Sequence, residues 1–179
     1  REEEVSCVDA TVPQARLKLF SAMLACLSKT GRELFVEATP DKLTLRSLND
    51  AKTAFAAFDL SKHSFFDAYS LRLHRDDTSF SCKLSIRDVC SVLRNTKNVS
   101  SMRIFSRVVE DLGHELVFEL VGEHGLRRRH RFTYQDCELI HAIFTHDGAS
   151  SLSCQPLQLS SQLLKHIHGA QEVAFEATP

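Results

Sequence analysis

The segment ELFVEATP at residues 33–40 recurs almost unchanged as EVAFEATP at residues 172–179. A short apolar run with helical spacing precedes each copy, and a glycine, Gly31 or Gly169, ends that run before the strand-like segment begins. The residues expected to open the two helices are Thr11 and Pro13 in the first copy and Ser160 and Ser161 in the second. This repetition predicts a protein built from copies of one structural unit.

The distance between the copies predicts how the chain is divided. At 179 residues and 43% hydrophobic composition, one complete core is expected, because a domain averages about 150 residues. We predict a first domain at 1–134, an interdomain connector at 135–153 and the beginning of a truncated second domain at 154–179. Since the chain does not begin with methionine and stops inside the second copy, we expect it to be a fragment of a longer protein.

Hydrophobic periodicity gives the order of elements in the first domain. Helical spacing predicts helices at 13–29 and 86–96. Alternating apolar residues predict strands at 5–11, 33–39, 42–48, 52–60, from Phe80 to the second helix, and near 102–109, 114–121 and 125–134. A polar loop is expected at 70–79. The order predicts an α+β fold of repeated β-α-β-β-β units, with helices on one face of antiparallel sheets.

Composition limits the class of protein. A net charge of -1 excludes a generally basic nucleic-acid-binding surface, so any contact with DNA has to come from a local cluster of cations. The six cysteines include no CxxC pair and no signal peptide precedes them, which indicates reduced thiols in an intracellular protein. No apolar run approaches the roughly 18 residues of a membrane span, and we expect a soluble protein.

Three predicted helices combine an apolar face with an outer face that carries cations. The apolar faces consist of Leu17, Phe20, Met23, Leu24 and Leu27, of Ile86, Val89, Cys90 and Leu93, and of Leu163, Leu164 and Ile167. The outer cations are Lys18 and Lys29, then Arg87 and Arg94 with Lys97 just beyond the helix end, and Lys165 in the second copy. One such helix is typical of an ordinary solvated surface. Recurrence in three helices favours a positive surface that contacts phosphates.

Three segments carry a resemblance to a known family. They are LKLFSAMLACLSKTGRELFVEATPDKLTLRSLNDAKTAFAAFDL at 17–60, CKLSIRDVCSVLRN at 82–95 and HGLRRRHRFTYQDCE at 124–138. In this order they resemble the "nine" subunit family of the nine-one-one checkpoint clamp. The strings LTLRSLND with KTAF, and RFTYQDCE, are the most specific, because the general replication clamp shares the fold without them.

The resemblance implies a PCNA-like sliding-clamp fold and a nuclear protein. Such a subunit joins two other clamp-like subunits in a heterotrimeric ring around double-stranded DNA, placed there by a clamp loader. The ring is a platform for repair and checkpoint proteins at damage sites. The resemblance implies no cofactor and no membrane contact. Helices line the hole, so the cations named above are expected to face DNA. A homotrimeric replication processivity clamp is the alternative.

The same resemblance places the last strand of the first domain at a subunit edge. That strand carries the expected interface residues Leu126, Arg127, Arg128, Arg129, His130, Arg131 and Phe132. An unpaired strand edge can pair with a strand of another chain, and a partner with acidic residues would complement these arginines. The arginine run is also typical of an edge charged against aggregation, or of a nuclear-import signal.

The connector contains a second candidate binding segment. Its apolar residues are Leu139, Ile140, Ile143 and Phe144. In clamps a segment of this kind resembles the place where client peptides bind. Equally, these residues could hold the loop against its own domain.

Catalytic motifs are absent from the sequence. His166 and His168 lack the further ligands that would fix a metal, as do His141 and His146. The adjacent acids Asp76-Asp77 suggest a metal-dependent 3'-5' DNA exonuclease only if other ligands join them. Because no nucleophile or phosphate-binding motif occurs, we predict a protein that is not an enzyme and holds no catalytic residue, metal or cofactor.

Overall fold

The structure is a computed structural model that describes residues 7–73, 77–109, 113–134, 137, 153–167, 169–170, 172–174 and 176. The chain divides into two compact units, Arg1–Ala142 and Ile143–Pro179. The predicted limits of domain and connector remain a prediction. Within the described residues, no helix is both long enough and apolar enough to cross a membrane.

The first unit consists mainly of antiparallel strands. They are Val8–Pro13 (β1), Glu33–Ala38 (β2), Lys42–Leu48 (β3), Phe55–Ser61 (β4), Ala68–Leu71 (β5), Phe80–Ser85 (β6), Val99–Val109 (β7), Gly113–Gly122 (β8) and Arg127–Tyr134 (β9). Its α-helices are Gln14–Thr30 (α1), Lys62–Phe65 (α2) and Ile86–Val92 (α3), and a short 3-10 turn, Glu123–Gly125, precedes β9.

Two sheets arise because the two β-α-β-β-β repeats within the first unit exchange their first strands. The five-stranded sheet has the order β5-β1-β7-β8-β9, and the four-stranded sheet has the order β4-β3-β2-β6. Strand β1 of the first repeat therefore lies beside β7, and β6 of the second repeat lies beside β2. Helices α1 and α3 each connect one sheet to the other. The predicted α+β fold with repeats is confirmed, and the exchange of strands joins the two repeats.

Helix α1 covers both sheets with its apolar face. It contacts β1 and β7 of one sheet, β2, β3 and β4 of the other, and α3 beside it. The predicted face is confirmed at Leu17, Phe20, Leu24 and Leu27, which are buried, while Met23 is half-buried. The long apolar side chains of α1 enter the core of both sheets. Helix α3 packs beside α1, so both helices lie on the same side of the sheets.

Gly31 ends α1, as predicted, in an extended conformation. Its φ of -152° is extended, and its N–H donates to the carbonyl of Leu27 at 3.1 Å. A Cβ at this position would lie 2.1 Å from the carbonyl oxygen of Leu48. The glycine is required because the end of the helix touches the backbone at the end of β3.

Two short elements that the sequence did not predict precede the loop expected at 70–79, and the second of them extends into it as far as Leu71. Helix α2 and strand β5 have four residues each, and β5 pairs with β1. Between them lies a chain of aromatic contacts that runs from Phe20 of α1 through Phe65 and Phe66 to Tyr69. The Tyr69 hydroxyl lies 2.7 Å from the carbonyl oxygen of Thr39 and 2.9 Å from that of Lys42. This side chain therefore joins β5 of one sheet to the β2–β3 turn of the other.

Other boundaries differ from the predictions by a few residues. Strand β1 continues to Pro13, so Thr11 is a strand residue and opens no helix. Strand β4 begins at Phe55 instead of residue 52, because the Asn49 side chain accepts hydrogen bonds from the backbone of Thr53 and Ala54 and holds a turn there. Helix α3 stops at Val92, four residues earlier than predicted, and a turn follows it.

The second unit corrects three expectations about the second copy of the repeat. Its helix begins at Pro156–Gln158 (α4) and continues as π-helical turns over Leu159–Leu163, so Ser160 and Ser161 lie inside it and donate to the carbonyl of Leu157. Leu164, expected on the apolar face, is 45% exposed. Glu172, Val173 and Ala174 form no strand. A strand needs neighbours, and the first copy has β3 and β6 on either side.

Candidate functional site

The predicted DNA-facing cations of the first unit are all exposed. Lys18 and Lys29 lie on α1 and Arg87 lies on α3, whereas Arg94 and Lys97 lie in the turn after α3. Within the described part of the chain, none of these cations takes part in an ion pair. Their positive charges are therefore available to a ligand.

The two helices that carry these cations lie side by side. Burial raises the pKa of the Cys90 thiol of α3, and Ser28 of α1 and Arg94 partly oppose this shift. Asp88 is the acid in the first turn of α3, and α1 has none in its first turn. The helix pair thus presents a continuous surface in which cations outnumber acids.

One exposed cation of this surface was not predicted. Arg16 lies in the first turn of α1 and is exposed. Helix geometry alone places it toward the apolar face, near Leu27, because the two residues are 11 positions apart and about 100° separates successive residues. Its charge was nevertheless a signal for exposure, because arginine is rarely buried. Lys165, predicted as the outer cation of the third helix, is also exposed, but it belongs to the second unit and lies just after the end of its helix at Leu163.

Strand β9 forms one edge of the five-stranded sheet, with β8 as its described neighbour. Arg127, Arg128, Arg129 and Arg131 are exposed, and Leu126 just before the strand is 68% exposed. His130 and Phe132 are half-buried, and Phe132 packs edge-on against Phe118 at 5.6 Å between ring centroids. The predicted interface residues thus divide between two faces of one strand.

Two of the arginines on the outer face of β9 are bound to a carboxylate that the sequence pattern did not single out. Glu119 of β8 is 1% exposed and forms ion pairs with Arg127, at 3.2 Å, and with Arg129. On the opposite face, Arg128 donates to the carbonyl of Asn95 at 3.0 Å. The sequence did contain a signal for this pairing. Glu115 and Glu119 are four residues apart in β8, and residues at even spacing share one face of a strand.

Further ion pairs cover the outer face of this sheet. Arg103 pairs with Asp9 and its guanidinium lies 4.5 Å from the centroid of the Phe105 ring. Arg107 pairs with Glu115 at 2.6 Å. Beneath these side chains Phe105 and Val117 are almost fully buried, at 3% and 1% exposure, although they point away from the main core. The outer face therefore consists of a small apolar layer covered by paired charges.

The four-stranded sheet repeats this arrangement. Glu37 and Arg46 form a buried pair at 2.6 Å, and one guanidinium nitrogen of Arg46 has no hydrogen-bond partner among the described residues. At the sheet edge, hydrogen bonds from the Lys42 ammonium and the Thr44 hydroxyl, both 2.7 Å long, hold the pKa of Asp59 below its usual range. Charges on this outer face are also paired within the protein.

Several predicted site residues lie outside the described residues. These are Leu139, Ile140, Ile143 and Phe144 of the connector, and Asp76 of the candidate nuclease pair. The described part of the connector begins beside the four-stranded sheet, where the Ser81 hydroxyl donates to the carbonyl of Cys137 at 3.0 Å. Asp77 is exposed, and the described residues include no group of three or more acids, histidines or cysteines that could hold a metal.

Comparison with solved structures identifies the class to which this fold belongs. The chain superimposes on PCNA from Thermococcus kodakaraensis with a TM-score of 0.59 and 12% sequence identity, over 77% of this chain and 50% of that one. The fold is therefore that of a sliding clamp. Residues 20–179 match the Rad9 family model, and the chain belongs to the Rad9 family.

A relative from Drosophila melanogaster supports the same assignment. It is described as cell cycle checkpoint control protein Rad9, and it is 29% identical to this chain over 89 residues. The match covers 50% of this chain and 19% of the Drosophila protein. The predicted resemblance to the nine-one-one subunit family is confirmed.

Proposed function

We propose that this chain is part of a subunit of a heterotrimeric, ring-shaped DNA clamp. The ring encircles double-stranded DNA at damage sites in the nucleus and is a platform for checkpoint and repair proteins. The subunit is a scaffold without catalytic activity, placed on DNA by a clamp loader and joined to two other clamp-like subunits. Membership in the Rad9 family and the sliding-clamp fold support this proposal.

One observation carries the DNA-binding part of the proposal. The cations on α1, on α3 and in the turn after α3 are exposed and take part in no ion pair among the described residues, whereas the arginines of both outer sheet faces are largely paired. Unpaired cations attract phosphates without reading the base sequence, and such contacts exchange easily. The helix surface therefore suits a ring that slides along DNA.

The DNA-facing role is tested by charge reversal in the full-length protein. We expect Lys18→Glu, Lys29→Glu and Arg94→Glu together to leave assembly intact and to weaken retention of the ring on circular DNA. The slope of log affinity against log salt should decrease by about 0.9 for each phosphate that the variant no longer binds. Binding to short duplex DNA at several salt concentrations measures this slope.

A matched control separates local charge from total charge. Lys52→Glu, Lys62→Glu and Arg72→Glu change the net charge by the same amount; none of these residues lies on α1 or α3, and none takes part in an ion pair within the described residues. This control should bind DNA with nearly the salt slope of the wild type. Equal losses in the two triple variants would mean that the helix surface has no special role.

The composition of the assembly distinguishes this proposal from a homotrimeric replication clamp. Native mass spectrometry is applied to the complex of the full-length protein from nuclear extract after nuclease treatment. Equal amounts of two different clamp-sized proteins are expected, and three copies of this protein would contradict the proposal. Family membership favours the checkpoint clamp.

The connector is the proposed docking segment for client peptides. Its apolar residues Leu139, Ile140, Ile143 and Phe144 would bind the client. They were predicted because the segment resembles the place where client peptides bind in other clamps. Substitution of Ile143 and Phe144 by serine should abolish client binding and leave ring assembly unchanged. Loss of the folded protein itself would instead indicate that these residues hold the loop to its own domain.

A further inference from the structure

We propose that Arg131 is the arginine of β9 that recognises a carboxylate on the edge strand of a neighbouring, different clamp-like subunit. Glu119 determines this choice, because it engages the two other arginines on the same face of the strand. The inference rests on the proposed function, since it states which part of the β9 edge the neighbouring subunit contacts.

The Glu119 carboxylate uses both of its oxygens within the protein. Oε1 accepts from Arg127 at 3.2 Å and Oε2 accepts from Nε of Arg129. Glu119 lies directly opposite Arg129 in the β8–β9 register. A buried carboxylate whose oxygens are both bound holds its two guanidinium groups against the sheet. Arg127 and Arg129 are therefore oriented toward their own chain.

Arg131 lies two residues further along the same face and differs from both. Directly opposite it in β8 is Val117, which is 1% exposed and apolar. The next acid along β8, Glu115, is bound by Arg107 at 2.6 Å, and both of these side chains are largely buried. Among the described residues Arg131 takes part in no ion pair, and its side chain is exposed. Within the described chain it is therefore the arginine of this face that has no internal carboxylate.

The partner that fits is a strand edge carrying an aspartate or glutamate. An edge strand pairs with another strand through its backbone, and a guanidinium forms two parallel hydrogen bonds to a carboxylate. A second copy of this chain does not supply that carboxylate within its described residues. Its other edge strands are β4, β5 and β6, and Asp59 of β4, the acid among them, is already bound to Lys42 and Thr44. In the heterotrimeric ring proposed above, a different clamp-like subunit supplies that edge.

The test compares two identical substitutions on one face of one strand. Arg131→Gln and Arg129→Gln each remove one positive charge from the full-length protein. The dissociation constant is measured separately for each of the two clamp-like subunits that co-purify with it. For one of these subunits we expect Arg131→Gln to raise the constant about tenfold, as for the loss of a charged hydrogen-bonded pair, and Arg129→Gln to change it less than threefold.

A rescue experiment tests the role of Glu119 as a positioning residue. Replacing Glu119 by glutamine releases Arg127 and Arg129, which can then reach the partner carboxylate. The double variant Glu119→Gln/Arg131→Gln should therefore bind more tightly than Arg131→Gln alone. Glu115→Gln/Arg131→Gln is the matched control, because Glu115 is also buried on the same strand but binds Arg107. A merely structural effect of the substitution would give no gain in affinity.

The outcomes separate this inference from the proposed function. If the wild-type protein binds neither clamp-like subunit, the proposed function is wrong. If it binds them and Arg131→Gln and Arg129→Gln weaken binding equally, or Glu119→Gln gives no rescue, only the assignment of Arg131 and Glu119 is wrong. Binding of a second copy of this chain through β9 would contradict the choice of partner.

Discussion

The helix surface and the outer face of the five-stranded sheet both carry several cations but differ in how those charges are compensated. On α1, on α3 and in the following turn, Lys18, Lys29, Arg87 and Arg94 are exposed and form no ion pairs within the described residues. On the sheet, Arg103, Arg107, Arg127 and Arg129 bind the carboxylates of Asp9, Glu115 and Glu119, and Arg131 has no ion pair among the described residues. Counting basic residues would treat the two regions alike, whereas the first offers several unpaired charges to a ligand as large as DNA and the second offers few.

The difference has a structural origin. A cation on an exposed helix face has neighbours three and four residues away, and in α1 these positions hold few acids. A cation on a sheet face lies opposite residues of the adjoining strands, where acids far away in sequence become direct neighbours. Arg129 and Glu119 are paired in this way, 10 residues apart. The fold thus neutralises one surface and leaves the other unpaired.

The largest loss of stability is expected from truncating a buried side chain on the apolar face of α1. Phe20→Ala deletes a fully buried ring that contacts Phe65, and this should lower the free energy of unfolding by about 3–5 kcal/mol. Urea unfolding followed by circular dichroism measures the change. Leu19→Ala, on the neighbouring residue that is 45% exposed, is the control and should change stability by about 0.5 kcal/mol or less. Similar losses in both variants would show that α1 is not anchored through the predicted face.

The second largest effect tests whether paired charges on the outer faces are structural. Glu37→Gln leaves Arg46 buried without its carboxylate, which should cost about 3 kcal/mol of stability. The control is Glu33→Gln on the same strand, where the pair with Lys83 is about half exposed and should contribute at most about 1 kcal/mol. The ratio of the two losses is read from urea midpoints, and a ratio near one would mean that burial does not distinguish these pairs.

A smaller effect concerns the hydrogen bonding that joins the two sheets. Tyr69→Phe removes the hydroxyl hydrogen bond to the carbonyls of Thr39 and Lys42, which should cost about 1 kcal/mol at neutral pH. Burial, with a contribution from Asp41, raises the pKa of Tyr69 from 10.0 to about 12.

The sign of the pH dependence follows from this shift. The folded state favours the neutral hydroxyl of Tyr69. The contribution of this hydroxyl to the free energy of unfolding is therefore complete below pH 10 and is lost as the pH rises toward about 12. The stability advantage of the wild type over Tyr69→Phe should therefore narrow across this interval. Unfolding curves at pH 8, 10 and 11 measure it, and an advantage that grows with pH would contradict the assignment.

Local patterns were sufficient to predict the parts of the fold that depend on local interactions. Strand β3 occurs at residues 42–48 as predicted, because its apolar residues alternate and turns flank it on both sides. The exposure of Lys18 and Lys29 followed from helix geometry alone. The family resemblance extended these predictions to the clamp fold, which the structural comparison confirms.

The parts that the sequence could not predict depend on long-range pairing. Strand β5 has only four residues, too few for their alternation to predict a strand, and it is a strand because β1 pairs with it. The pairing of Arg127 and Arg129 with Glu119 depends on the register of β8 and β9, which no residue-by-residue pattern encodes. For the same reason the arginines of β9 were predicted as one equivalent set, although the structure separates Arg131 from the others.

The close approach at Gly31 has a consequence for how this protein can change. Because the last turn of α1 touches the end of β3 through backbone atoms, the position of the helix along the sheet does not depend on its solvent-facing side chains. Residues such as Lys18, Ala22, Ala25 and Lys29 can therefore be exchanged without displacing the helix. The electrostatic character of this surface and the architecture beneath it are independently variable.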